Sequence, residues 1–140
     1  MSKIRVVHYI NQFFAGVGGE EQAHIAPELR KELPPISTQL QGKLGEDFEV
    51  VATVVCGDSY FNENLESVQK ELLEMIKGCE PQLFIAGPAF NAGRYGVAAG
   101  TITKAVQDEL HIPAVTAMYE ENPGTDMFKK DVYILETSDS

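Results

Sequence analysis

The sequence predicts one α/β domain over residues 1–140, built on a parallel sheet in a three-layer, Rossmann-like or flavodoxin-like layout. Three observations carry this expectation. Short apolar runs of the kind buried in parallel sheets occur at 4–10, 48–56, 83–86 and 113–118. Helical periodicity fills the intervals after 56 and after 93, so strand and helix alternate from Phe48 onward and imply right-handed crossovers. A chain of 140 residues also buries about two-thirds of the surface it exposes when unfolded, enough for a core without disulfide or metal.

Residues 4–10 read as the first strand, with Ile4, Val6, Val7, Tyr9 and Ile10 supplying β-branched and aromatic bulk and His8 near its end. In 11–21, Gly16, Gly18 and Gly19 break regular structure while Phe13 and Phe14 need cover, so the stretch reads as a functional loop or an interface. From 22 to 43, Pro27, Pro34 and Pro35 leave room for at most a short helix around 28–33. Long irregular connections of this kind are usually functional or disordered.

The clearest strand is 48–56, where Val50, Val51, Val54 and Val55 form a near-continuous run that stops at Gly57-Asp58-Ser59. A helix from about 62 to 77 follows, with Leu65, Val68, Leu72, Leu73 and Ile76 at helical spacing and Gly78 as its stop. The strand at 83–86 is ended by Gly87-Pro88, because proline removes a ladder donor. Beyond the turn, a second helix from about 94 to 110 buries Val97, Ile102, Ala105, Val106 and Leu110. Residues 113–118 form a further strand, 119–126 a loop, 132–135 a last apolar piece and 136–140 a polar tail.

In a parallel sheet the strand C-terminal ends share one edge, so the loops 11–21, 56–62, 87–94 and 118–126 converge there. A ligand crevice is expected at that edge. Its focus is the stretch from Gly87 to Arg94, where Gly93 and Gly96 permit close backbone approach and a helix N-terminus presents unpaired N–H groups. Arg94 adds a forked cation, although a surface arginine pairing a carboxylate is an equally good reading of it. The candidate substrate-binding residues are Arg94, Asn91, Gly93 and Tyr95, with Asn11 and Asp58 from the neighbouring loops. Asp58 also suits a helix cap or a turn.

Catalytic residues are not fixed by the sequence; Cys56 and His8 are the candidates. Cys56 ends a strand, from where a thiol can project into the crevice or serve as a small buried hydrophobe. His8 either orients a ligand or is a core histidine satisfied by a neighbour. Cys79 reads as structural, and the pairs Glu20-Glu21 and Glu120-Glu121 as solvated charge. No Gly-Lys-Ser/Thr follows Gly93, and 16–19 lacks dinucleotide-fingerprint spacing, which disfavours nucleotides.

A net charge of -10, from 21 acidic against 11 basic residues, repels phosphate backbones and anionic lipid, so neither nucleic acid nor membrane is an expected partner. No apolar run approaches the roughly 20 residues of a membrane span, and the first residues enter a strand pattern directly, which together point to the cytoplasm. Two cysteines and three scattered histidines make no metal site, so no metal and no cofactor are expected on this chain.

Four blocks carry a family resemblance: 8–21, 55–64, 86–97 and Glu121-Asn-Pro-Gly124. Together they resemble the substrate-specific selenoprotein B subunit of the glycine, sarcosine and betaine reductases, over essentially the whole chain. The resemblance implies an amino acid reductase in which component B works with a pyruvoyl-bearing subunit that binds the substrate amine. A selenolate of component B then displaces the amine, and the carboxymethyl group passes to selenoprotein A on the way to acetyl phosphate. It further implies that the chain is the N-terminal fragment of a longer subunit whose selenocysteine lies downstream, inactive by itself. In this setting Arg94 holds the carboxylate of a small amino acid substrate, and Cys56 is a redox neighbour of the selenium. Phe13, Phe14 and Tyr95 alternatively dock the pyruvoyl subunit, the domain then being a scaffold; an independent small-carboxylate-binding domain is the third reading.

Overall fold

Strands β1 (Ile4–Asn11), β2 (Glu28–Arg30), β3 (Phe48–Cys56), β4 (Leu83–Ala86), β5 (Ala114–Tyr119) and β6 (Tyr133–Thr137) form one sheet in the computed structural model, which describes residues 2–140. Their order is β2-β3-β1-β4-β5-β6, and every neighbouring pair is parallel except β2 against β3. The chain leaves β1 for β3 on one side, then crosses to β4 on the other. The winding therefore reverses between β1 and β4, the topological switch point of a flavodoxin-like sheet.

Five helices flank the sheet: α1 (Pro35–Leu44), α2 (Asp58–Glu63), α3 (Leu65–Gly78), α4 (Gly93–Ala105, continued by a π turn through Leu110) and α5 (Pro123–Phe128). The main core lies between one sheet face and α3 and α4, where Val7, Tyr9, Val54, Phe84 and Ala86 meet Val68, Leu72, Ile76 and Ile102. Val68, Leu72 and Ile76 recur every fourth residue, and all three are fully buried. Truncating Leu72 to alanine removes about 3 kcal/mol of such packing. On the other face, α1 lies against β3, and the loop after β1 folds over Ile10 and Val55.

The predicted α/β layout is observed, while several local expectations change. The helix expected at 28–33 is instead edge strand β2, paired antiparallel with Thr53–Val55, and the helix comes later as α1. Proline explains the shift: inside a helix Pro34-Pro35 would break it, whereas Pro35 occupies the first turn of α1, where its missing N–H costs nothing. The helix expected from 62 begins at Asp58, breaks at Asn64 (φ −132°, ψ 40°) and resumes as α3. Gly78 is its last helical residue and Cys79 its cap. The loop 119–126 contains the start of α5, with Asn122 as cap, and the last apolar piece is β6, reaching Thr137 into the expected tail.

Candidate ligand crevice at the switch point

β1 ends at Asn11 and β4 at Ala86, and the loop leaving each is held by amide side chains. The Asn11 Oδ1 accepts from the Phe14 N–H (3.1 Å), which starts the turn, and its Nδ2 donates to Asp58 Oδ2 (3.0 Å). The Asp58 N–H in turn donates to Gln12 Oε1 (3.1 Å). The loop after β1 is thus locked to the first turn of α2.

The turn after β4 is fixed from the opposite side. The Gly87 N–H donates to Tyr9 O (3.0 Å) and the Ala89 N–H to Ala117 O (2.8 Å). Gly87 has φ +104°, and a Cβ there would meet Ala117 O at 2.8 Å, so only glycine fits. Asn122, wholly buried, is the strut: its Nδ2 donates to Phe90 O (2.9 Å) and Ala92 O (3.0 Å), and its Oδ1 accepts from the Gly124 N–H (2.9 Å). Gly96 lies against it, and any Cβ at 96 would run into the Asn122 amide. Held in this way, Phe90 adopts φ +49°, a left-handed conformation that a bulky residue takes only where its surroundings dictate it.

Between these loops lies an open cavity of about 340 Å³, with Asn11, Gln12, Glu20, Asp58, Asn91, Asp139 and Ser140 as its polar lining and Phe13, Phe14 and Phe90 as its aromatic lining. Phe14 stacks on Phe90 (centroids 6.0 Å apart) and Phe13 lies edge-on to Phe14 (5.2 Å). The floor is polar and incompletely paired. Asp58 is 6% exposed and its Oδ1 has no hydrogen-bond partner among the described residues. Burial pushes its carboxyl up to about 6, against the hydrogen bond from Asn11. Tyr9 and Tyr95, both fully buried with rings 6.3 Å apart, likewise carry unpartnered hydroxyls. Burial raises both phenols well above their ordinary range, and the nearby Asp58 carboxylate adds to this.

Arg94 sits in the first turn of α4, outside the residues that line the cavity and linked to it through Glu20. Its Nη1 donates to Ser59 Oγ, and its Nη2 pairs with Glu20, which itself borders the cavity. The carboxylate-pairing arginine of the sequence reading is thus observed. Glu20 is correspondingly not plain solvated charge, nor is Glu21, whose Oε1 accepts from the Gly19 N–H (2.9 Å). The Glu20 side chain remains 75% exposed, so the pair contributes little, about 0–1 kcal/mol, and exchanges easily for another anion.

The other expected residues divide cleanly. Asn11, Asp58 and Asn91 line the cavity, and Gly93 opens α4 beside it. Tyr95 lies beneath the floor with no exposed surface, which removes it from any docking role. His8 points to the opposite sheet face: its Nε2–H donates to Gly87 O (2.6 Å) and its Nδ1 accepts from Ser37 Oγ (2.8 Å). Burial lowers its pKa to about 4, so it is a neutral, satisfied core histidine and not a catalytic base. Cys56 is fully buried and points into the main core, its Sγ 3.5 Å from Gly57 O. Burial pushes its thiol up to about 12, which leaves it inert at neutral pH.

Gln12, Phe90 and Asn122 are site residues that sequence reasoning did not single out. Asn122 precedes Pro-Gly, the signature of a capped helix start, and that signal was available. Among the described residues, no cluster of His, Cys, Asp and Glu could hold a metal, and no helix is long and apolar enough to cross a membrane.

Fold and crevice define a doubly wound α/β domain with a candidate small-ligand site at its switch point. The chain belongs to the glycine/sarcosine/betaine reductase selenoprotein B family, whose profile matches residues 3–140. It is 73% identical over 140 residues to the glycine reductase complex component B subunit gamma of Peptoclostridium litorale, covering all of this chain and 32% of that protein. The sarcosine reductase complex component B subunit beta of Peptoclostridium acidaminophilum is 61% identical over 140 residues, again 100% of this chain and 32% of the relative. The betaine reductase complex component B subunit beta of the same organism is 41% identical over 131 residues, 94% of this chain and 30% of the relative. The chain thus spans about a third of the length of these curated relatives. No solved structure matches it.

Proposed function

We propose that the switch-point crevice is one wall of the amino acid site in component B of a glycine-, sarcosine- or betaine-type reductase complex. Such a complex reductively cleaves the substrate C–N bond, releases ammonia or amine, and leads on to acetyl phosphate. The observation that carries the reading is the unpartnered Oδ1 of buried Asp58 on the crevice floor. Native structures rarely leave such an acceptor without a hydrogen-bond donor.

A small amino acid supplies the missing partner of Asp58 and an alternative anion for Arg94. Its carboxylate takes the place of the exposed Glu20 at the Arg94 guanidinium, a fork that matches a carboxylate. Its amine end faces Asp58, and the positive charge draws that carboxyl to its ionised form. The aromatic rings of Phe14 and Phe90 flank the carbon between them and exclude water. This chain's residues bind and orient. In this reading selenocysteine, on polypeptide beyond these 140 residues, supplies the nucleophile, and the pyruvoyl-bearing subunit and selenoprotein A are partners.

The test is kinetic, in the assembled complex: Arg94→Ala is expected to raise KM for the amino acid roughly 10- to 100-fold, the loss of one charge-assisted contact. Unchanged kinetics contradict the reading. One observation supports a scaffold role beside it: Phe13 stands on the rim 63% exposed, a side chain suited to docking the pyruvoyl subunit. Phe13→Ser would then weaken capture of that subunit and leave KM alone.

A further inference from the structure

The two faces of the sheet are covered unequally. Side chains of neighbouring parallel strands share a face wherever they pair in register. The register places Leu83 and Ile85 of β4, Val115 and Ala117 of β5, and Tyr133 and Leu135 of β6 on the face that carries α1. None of the six is buried; Tyr133 is 65% and Leu135 47% exposed. Their neighbours on the other face, Phe84, Ala86, Ala114, Thr116 and Met118, are all buried. In β5 the consequence is a strict alternation of buried and half-buried residues along a run in which only Thr116 and the Tyr119 hydroxyl are polar.

Such a run is out of keeping with a solvated face. Parallel strands are buried on both sides by helices, and only antiparallel sheets habitually leave one side to water, with polar residues there. On this face α1 packs against β3, while β4, β5 and β6 present a contiguous strip without a single charge, in a chain with 32 charged residues (11 basic plus 21 acidic). Exposed apolar patches of this kind mark an interface.

We infer that the uncovered face of β4, β5 and β6 is the seat of an amphipathic helix from the polypeptide that the full-length subunit carries outside these 140 residues. The occupant follows from length and geometry. A relative 73% identical over this whole chain is about three times as long, so a subunit of that length carries polypeptide from which the cover can come. Strands lie about 4.8 Å apart, so three of them span roughly 10 Å, the width of one α-helix laid beside α1. The seat also bears on the crevice. β4 and β5 run directly into the turns at Gly87–Ala92 and Tyr119–Asn122, so a helix clamped across them stiffens the wall that carries Phe90 and Asn122.

The first measurement needs no substitution. Hydroxyl-radical footprinting is compared between the 140-residue chain and a chimera in which this chain replaces the matched third of the Peptoclostridium litorale subunit. Oxidation of Tyr133, measured relative to Met127, which is exposed on α5 at the other face, is expected to fall at least about fivefold in the chimera, as burial removes solvent access. An unchanged ratio overturns the inference. Protection of Tyr133 that instead grows with concentration of the 140-residue chain assigns the face to a second copy and overturns it too. A second measurement guards against a misfolded chimera. Val115→Cys, followed by peptide mapping that separates it from Cys56 and Cys79, is expected to react with maleimide at least about tenfold more slowly in the folded chimera than in the folded short chain; equal rates in the two contradict the seat.

Discussion

Two clusters of buried polar groups sit back to back across β1, carried by adjacent residues whose side chains point to opposite faces. Behind the sheet, Thr53 Oγ1 donates to Ser37 Oγ (2.7 Å), Ser37 to His8 Nδ1, and His8 Nε2–H to Gly87 O. Every member of that chain is paired, and its direction is fixed by the carbonyl at its end. In front, Tyr9, Asp58 and Tyr95 bury two hydroxyls and a carboxylate oxygen that have no partner. Equal burial with unequal satisfaction separates a group whose partners all lie within the fold from one that leaves hydrogen-bonding capacity unused among the described residues. The histidine, the more suggestive residue in the sequence, belongs to the first kind.

The largest effect is expected where the front cluster depends on its scaffold. Asn122→Ala removes three buried hydrogen bonds and leaves the Gly124 N–H without its acceptor, at a cost of about 3 kcal/mol. Urea unfolding measures it, and a loss under about 1 kcal/mol would show that the Phe90 turn stands without its strut.

Asp58→Asn separates stability from binding. Its carboxyl is raised from 3.8 to about 6, so the folded protein holds more protons than the unfolded chain between those values, and Asp58 costs stability above pH 6. The amide is therefore expected to stabilise the fold at pH 8 by up to about 2 kcal/mol, to be neutral below pH 4, and to weaken ligand binding. Destabilisation at pH 8 would place Asp58 among the structural residues.

The two clusters also titrate in opposite senses. His8 is lowered from 6.5 to about 4, so its stabilising contribution is complete above 6.5 and is lost as pH falls through that window. Asp58 gains over much of the same range. The parent chain is expected to show a nearly flat stability between pH 6 and 4, and Asp58→Asn a fall approaching about 1.4 kcal/mol per pH unit. Equal slopes would undo the assignment. The smallest effect is expected at Cys56, whose buried, high-pKa thiol should resist iodoacetamide in the native state and react on unfolding; rapid native labelling would return it to the list of reactive groups.

Much of the fold was legible because its determinants are local. The strands at 48–56 and 83–86 are observed at the expected residues, since each is a dense β-branched or apolar run bounded by glycine or proline. Strand β2 was not legible, because Glu28–Arg30 owes its conformation to Thr53–Val55, residues distant in sequence, and has no periodicity of its own. The edge that carries the crevice followed from topology alone. Its floor did not: Asn122 reaches back about 30 residues to Phe90 and Ala92, and Asn11 reaches forward 47 to Asp58. Amide side chains of this sort look the same in sequence whether they strap a turn or face water.

The central claim is that the unsatisfied front cluster is a binding site for a small amino acid. It is tested most directly by titrating the 140-residue chain with glycine, sarcosine and betaine while following backbone amide shifts by NMR. At least one of the three is expected to move the amides of Asn11, Asp58, Asn91 and Gly93 together, and both Arg94→Ala and Asp58→Asn to abolish that response. Shifts scattered away from the crevice, or unaltered in the two variants, would contradict it.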